Sequence, residues 1–229
     1  MVRIERKDTE KAKVAIASLA AEKAKNSGTC NTPEVNEALA ETFHKKCYIC
    51  ENREVGSWEI EHLQPHLGNK DLKFDWNNLF WACRHCNNTK SDTYTPILDC
   101  TKVDVDDFIA FRLKIHLDPD SLIFEPVEHS CATENTCRLL DDVHYGHTVQ
   151  KKMEAKMIRK RIVRALFELE QYIRDYRDTS GELKKDIAAK IMLELKNTSE
   201  FAAFKRWYIR DHLDLCAVFI ECWKKDVSE

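Results

Sequence analysis

Two Cys-x-x-Cys pairs, Cys47-Tyr48-Ile49-Cys50 and Cys83-Arg84-His85-Cys86, bracket residues 51–82. Four thiolates presented by two tight turns can close a tetrahedral zinc site. With all four positions filled by sulfur, such a site staples a small fold and has no opening for water, so a catalytic metal would have to be a second ion. Glu61-His62 between the pairs and Asn87 directly after the last cysteine stay free for chemistry. A neutral imidazole at His62 is available to take a proton from water, because its ordinary pKa lies near neutrality. The remaining cysteines, Cys30, Cys100, Cys131, Cys137, Cys216 and Cys222, show no ligand spacing and read as ordinary thiols. A second metal set from His129, Cys131, Cys137, His144 and His147 fits no common framework.

The elements that must position these groups can be read from pattern. Trp58 to Leu63 alternates as a short strand, and Pro65 prevents it from continuing as a central one. His62 then sits near a strand end, with Glu61 on the opposite face. Residues 76–82, aromatic and apolar, are predicted as the returning strand, and the polar stretch after Cys83 is helix-compatible through Lys90. His85 reads either as a phosphate or metal contact or as a polar turn residue. Lys90 reads either as a phosphate contact or as solvated surface.

Strand, strand and helix held by zinc resembles the ββα-metal fold of HNH nucleases over residues 44–91. The resemblance places the family's acidic residue on Glu61, its general base on His62 and its central asparagine on Asn78, with Asn77 as the alternative. The family's third position falls on Asn87, where many members have histidine. An asparagine oxygen suits a hard cation, so Mg²⁺ or Mn²⁺ is expected at the catalytic site beside the structural Zn²⁺. The chemistry implied is one-metal phosphodiester hydrolysis. His62 is the base, Glu61 and Asn87 hold the metal, and Asn78 orients the imidazole.

The runs Lys46 to Glu51, Ile60 to His66 and Phe74 to Lys90 look like the HNH subunits encoded beside an ABC-type ATPase, as in the Septu anti-phage system and related retron defence operons. That likeness implies DNA as substrate and an ATPase partner. RNA cleavage, and a zinc knuckle that binds nucleic acid or protein without hydrolysis, are the competing readings.

The chain has 229 residues, 43% hydrophobic and 33% charged, as in a soluble globular protein. It shows no membrane-length apolar run and no leader pattern, so a cytoplasmic protein is expected. Ten cysteines in that setting read as reduced thiols and ligands. The net charge of −3 is not that of a stand-alone DNA-binding domain. Charge is uneven, however. Residues 91–142 are strongly acidic, whereas Lys152, Lys156, Lys160 and Arg164 recur every fourth residue. On a helix they form a nucleic-acid-binding track, a solvated face, or a partner for the acidic stretch.

Few glycines and prolines predict an α+β, mostly helical chain with N- and C-terminal helices around the nuclease module. The divisions expected are 1–43, 44–92, 93–147 and 148–229. Helices are predicted at 8–25, at 33–43 behind a Thr32 cap, at 148–178 with an apolar stripe from Ala155 to Tyr176, and at 182–196 and 199–224. Residues 93–147 read as short strands or loops plus a helix near 104–115. Phe201, Phe204, Trp207, Tyr208, Phe219 and Trp223 are the expected docking anchors for a partner.

Overall fold

A computed structural model describes residues 1–114 and 121–224. The chain opens with α1 (Glu10–Lys23) and α2 (Pro33–Thr42). The Thr9 hydroxyl accepts from the Ala12 amide at 3.2 Å and the Thr32 hydroxyl from that of Val35 at 3.4 Å. Each cap satisfies an amide that the first helical turn leaves open. Pro33 takes the first position of α2, as predicted, and the helix buries Val35 and Leu39 with Phe43 just beyond.

β1 (Trp58–His62) pairs antiparallel with β2 (Leu79–Cys83), and α4 (Arg84–Lys90) follows without a break. Between the strands lie α3 (Lys70–Lys73) and a 3₁₀ turn, Trp76–Asn78. The returning strand therefore starts at Leu79, later than the predicted 76. The carboxylate of Asp75 accepts from the Asn77 amide at 3.0 Å and caps the turn, which takes those three residues out of the ladder.

The stretch after the module departs further from expectation. The predicted helix at 104–115 is a single turn, α5 (Val105–Phe108), which leads into β3 (Ile109–Lys114) paired antiparallel with β4 (Ser121–Pro126). Ile109 and Phe111 are buried in the sheet, which favours the extended form over a continued helix. α6 (Cys131–Tyr145) was not predicted at all. Ser130 caps it, and it buries Leu139, Leu140 and Val143 together with Thr133, Thr136 and His144.

α7 (Val149–Asp178) is one helix of 30 residues with Ala155, Ile158, Ile162, Leu166, Leu169 and Ile173 inward, as the periodicity predicts. α8 (Gly181–Glu194) follows. The single helix expected at 199–224 is instead α9 (Ala202–Arg210), α10 (Leu213–Phe219) and α11 (Glu221–Lys224). The break falls where Asp211 is drawn into a two-pronged ion pair with Arg112, 2.8 and 3.0 Å, and His212 turns extended.

Two apolar clusters result. The larger runs from Met1 through the module to the first half of α7 and Phe204, and the smaller joins the second half of α7 to α8, α9 and α10. Phe201, Phe204, Phe219 and Trp223 lie inside these clusters at 3% exposure or less. They are core residues, not docking anchors, because packing between α7, α9 and α10 has already consumed their faces. No described helix is long and apolar enough to cross a membrane.

Candidate active site

The Sγ atoms of Cys47, Cys50, Cys83 and Cys86 all lie within 4.8 Å of one another and are buried. Cys50 and Cys83 stand 3.9 Å apart, and none of the four forms a disulfide. A tetrahedron with Zn–S bonds of about 2.3 Å places its sulfurs roughly 3.8 Å apart, so the cluster fits structural zinc. The first knuckle closes through the Glu51 amide, which donates to the Cys47 carbonyl at 2.9 Å, with Glu51 itself at φ 59°.

The alternation of β1 sends Glu59 and Glu61 to one face and Ile60 and His62 to the other. Glu61 is buried and pairs with Lys90 Nζ at 2.6 Å. Lys90 Nζ also donates to the His62 carbonyl at 2.9 Å, so it clamps α4 to the end of β1. Lys90 is fully buried, neither solvated nor open to a phosphate, because its charge is spent on Glu61. Burial pushes the Glu61 carboxyl up to about 7, with Lys90 pulling the other way. Among the described residues, none engages the second oxygen of Glu61.

Asn87 Nδ2 donates to Glu59. A carboxylate only accepts, so this contact fixes which way the amide points and leaves Oδ1 as the oxygen it can offer elsewhere. Glu59 escaped the sequence reading, although its place two residues before Glu61 on one strand face was the available signal.

His62 Nε2 donates to the Lys73 carbonyl at 3.0 Å, which puts the ring proton on Nε2 and leaves Nδ1 as a lone-pair nitrogen. Burial holds its pKa below the ordinary histidine value, with the Lys73 contact opposing, and this favours the neutral ring. The orienting bond expected from Asn78 thus belongs to Lys73. Asn78 instead accepts from the Gln64 amide at 2.8 Å and donates to the carbonyls of Gln64 and Leu72 at 2.9 and 3.0 Å. It pins the loop that carries Lys73, and so acts on His62 at one remove. Its amide is too fully engaged by that loop to reach the ring.

Glu61, His62 and Asn87 line one shallow cleft of about 330 Å³, joined by His66, Ser91 and Asp92. The two oxygens offered by Glu61 and Asn87 suit a hard divalent cation completed by water, so the residues fit Mg²⁺ or Mn²⁺. His85 does not reach this cleft. Its Nδ1 meets Glu154 and its Nε2 meets the Val143 carbonyl, both at 2.7 Å, so it fastens α4 to α6 and α7. Lys152, Lys156, Lys160 and Arg164 are exposed on α7, and Arg164 pairs with Glu168 at 3.0 Å. The side of α7 that meets α4 is a different one, where Lys151 Nζ donates to the Asn88 carbonyl at 3.4 Å. The row lies roughly 100–180° round the helix from Lys151, at 100° per residue.

A ββα unit stapled by four cysteines, with an acid, a histidine and an asparagine converging on one cleft, is the architecture of an HNH endonuclease domain. Residues 47–93 match the HNH endonuclease family, so this segment of the chain is such a domain. The chain is also 36% identical over 61 residues to the Septu protein PtuB of Bacillus thuringiensis, across 25% of this chain and 24% of that protein. The matched part thus spans about a quarter of that relative's length.

Proposed function

We propose that the cleft hydrolyses phosphodiester bonds of nucleic acid, with DNA as the substrate, and that the chain is the nuclease effector of an anti-phage defence assembly. The observation that carries the catalytic reading is the state of His62. Its Nε2 is occupied by a backbone carbonyl and its Nδ1 is left unprotonated in the cleft that Glu61 and Asn87 share. In this reading Nδ1 takes the proton from the attacking water. A Mg²⁺ or Mn²⁺ ion held by Glu61 and Asn87 would neutralise charge on the phosphoryl and leaving oxygens. Lys90 keeps Glu61 in place, Glu59 keeps the Asn87 oxygen turned outward, and the Asn78 loop keeps Lys73 under the imidazole.

The similarity to a Septu protein supports the defence role and, with it, an ABC-type ATPase as partner in the cytoplasm. The exposed Lys152, Lys156, Lys160 and Arg164 row supports contact with a nucleic-acid backbone away from the scissile phosphate, since phosphate contacts position a duplex without reading its sequence.

The test is cleavage of DNA and RNA by purified protein in Mg²⁺ or Mn²⁺ against chelator. His62→Ala should lower the rate roughly a hundred-fold to ten-thousand-fold with zinc content and fold preserved. Cleavage by His62→Ala at the wild-type rate would overturn the mechanism, and RNA cut in preference to DNA would reassign the substrate.

A further inference from the structure

We propose that His66 is a second catalytic residue, a neutral hydrogen-bond donor to a non-bridging oxygen of the scissile phosphate. This rests on the nuclease reading above and adds a group to its cleft.

A tight turn fixes the His66 ring. Leu67 and Gly68 both adopt the left-handed region, φ 43° and 86°, and the Asn69 amide closes the turn on the His66 carbonyl at 2.7 Å. Holding a leucine in that region costs of order 1 kcal/mol, so the surroundings must impose it. Its effect is to aim the Gly68 amide at the His66 ring, where it donates to Nδ1 at 3.1 Å. An amide can only donate here, so Nδ1 carries no proton and the neutral ring carries its proton on Nε2. Among the described residues nothing accepts from that Nε2.

The ring of His66 stands 4.7 Å from that of His62, centroid to centroid, at 66°, and both line the same cleft. The two imidazoles hold the same tautomer and present opposite functions. His62 spends its N–H on Lys73 and offers a lone pair, whereas His66 spends its lone pair on Gly68 and offers an N–H. A base for the water and a donor for the oxygen on which charge gathers are the two groups in-line attack on phosphorus needs beside a metal. His66 neither gains nor loses a proton in this role, since its backbone partner already occupies Nδ1.

The experiment compares wild type, His66→Ala and His66→Gln on an oligonucleotide and on its two phosphorothioate diastereomers, each with one non-bridging oxygen replaced by sulfur. A missing oxyanion donor costs roughly a hundred-fold to a thousand-fold in kcat. His66→Ala should fall by about that factor, and His66→Gln, which keeps an N–H near the Nε2 position, should recover to within about ten-fold of wild type. Sulfur at the contacted oxygen should slow wild type and cost His66→Ala little further, while the other diastereomer affects both alike. Spectra of ¹⁵N-histidine in zinc-loaded protein without added Mg²⁺ or Mn²⁺ should show Nδ1 of His66 unprotonated and Nε2 protonated.

Cleavage by His66→Ala within two-fold of wild type overturns the proposal. So does a loss shared equally by both diastereomers and by His66→Gln, which would mark a packing role. With wild type active and His62→Ala inactive, such results sink the His66 assignment alone. Wild type inactive under every metal sinks both readings.

Discussion

Glu51 and Glu61 are both buried glutamates of the nuclease module, and they are built for opposite ends. Glu51 has all it can use. Its carboxylate accepts from the Met1 ammonium at 2.7 Å, from Lys46 at 3.1 Å and from the amides of Ala202 and Ala203 at 3.0 and 3.3 Å. Burial alone would raise its pKa, but the two cations outweigh burial and hold it at about 2. Glu61 has one cation, Lys90, and burial prevails, lifting it to about 7. The saturated carboxylate ties the zinc knuckle to the start of α9. The under-supplied one faces a cleft. In the reading proposed above, the carboxylate surrounded by donors is structural and the one left short of them is the one that can take a cation.

Both glutamates stand on the four-cysteine cluster, and its loss should have the largest effect. Cys83→Ser, or a strong chelator, should release the zinc and unfold residues 44–92, because the four sulfurs are what join the Cys47–Cys50 turn to the junction of β2 and α4. Elemental analysis should find about one tightly bound zinc in wild type, and full zinc retention in a Cys47→Ser, Cys83→Ser double variant would refute the four-sulfur assignment.

Next in size is Glu61→Gln, which keeps a hydrogen-bond acceptor for Lys90 but removes the charge offered to a metal. It should lower kcat about a thousand-fold, worth roughly 4 kcal/mol at 1.4 kcal/mol per tenfold, and, because buried Lys90 then lacks its carboxylate, it should also lower Tm. Glu51→Gln should lower stability without touching the rate. Leaving two buried cations without their carboxylate should cost about 3 kcal/mol of stability, or roughly 10 °C in Tm, with kcat per folded molecule unchanged. If the two variants showed the same balance of stability and rate, the distinction between the sites would be lost.

Glu59 lies one contact further from the proposed cation, and its loss should have the smallest effect. Glu59→Leu should free the Asn87 amide to rotate and weaken Mn²⁺ binding about ten-fold, read by calorimetry or electron paramagnetic resonance, with zinc content intact.

Much of this was legible because it is local. The zinc cysteines follow from spacing, the α2 cap from Thr32-Pro33, and the inward face of α7 from periodicity. What was hidden depended on partners distant in sequence. Lys90 looks like surface until Glu61 is folded against it, and His85 looks like a site residue until Glu154 and Val143 claim its two nitrogens. α6 was missed because its buried face includes Thr133, Thr136 and His144, which break the apolar stripe. The two hydroxyls are met locally, Thr133 by Ser130 at 2.8 Å and Thr136 by donating to the Ala132 carbonyl at 2.7 Å, and His144 Nδ1 meets the Leu140 carbonyl at 2.7 Å. His66 is invisible without the turn that fixes its tautomer.

α7 spans both apolar clusters. Thirty residues make a rod of about 45 Å. Its first turns are fastened to α4 through Lys151 and Glu154, Ile158, Ile162 and Leu166 belong to one apolar cluster, and Leu169 and Ile173 belong to the other. An uninterrupted helix resists bending, so the two clusters are braced on a common strut. The strut thus ties the packing of α8 and α10 at one end to α4, the element that carries Asn87, at the other.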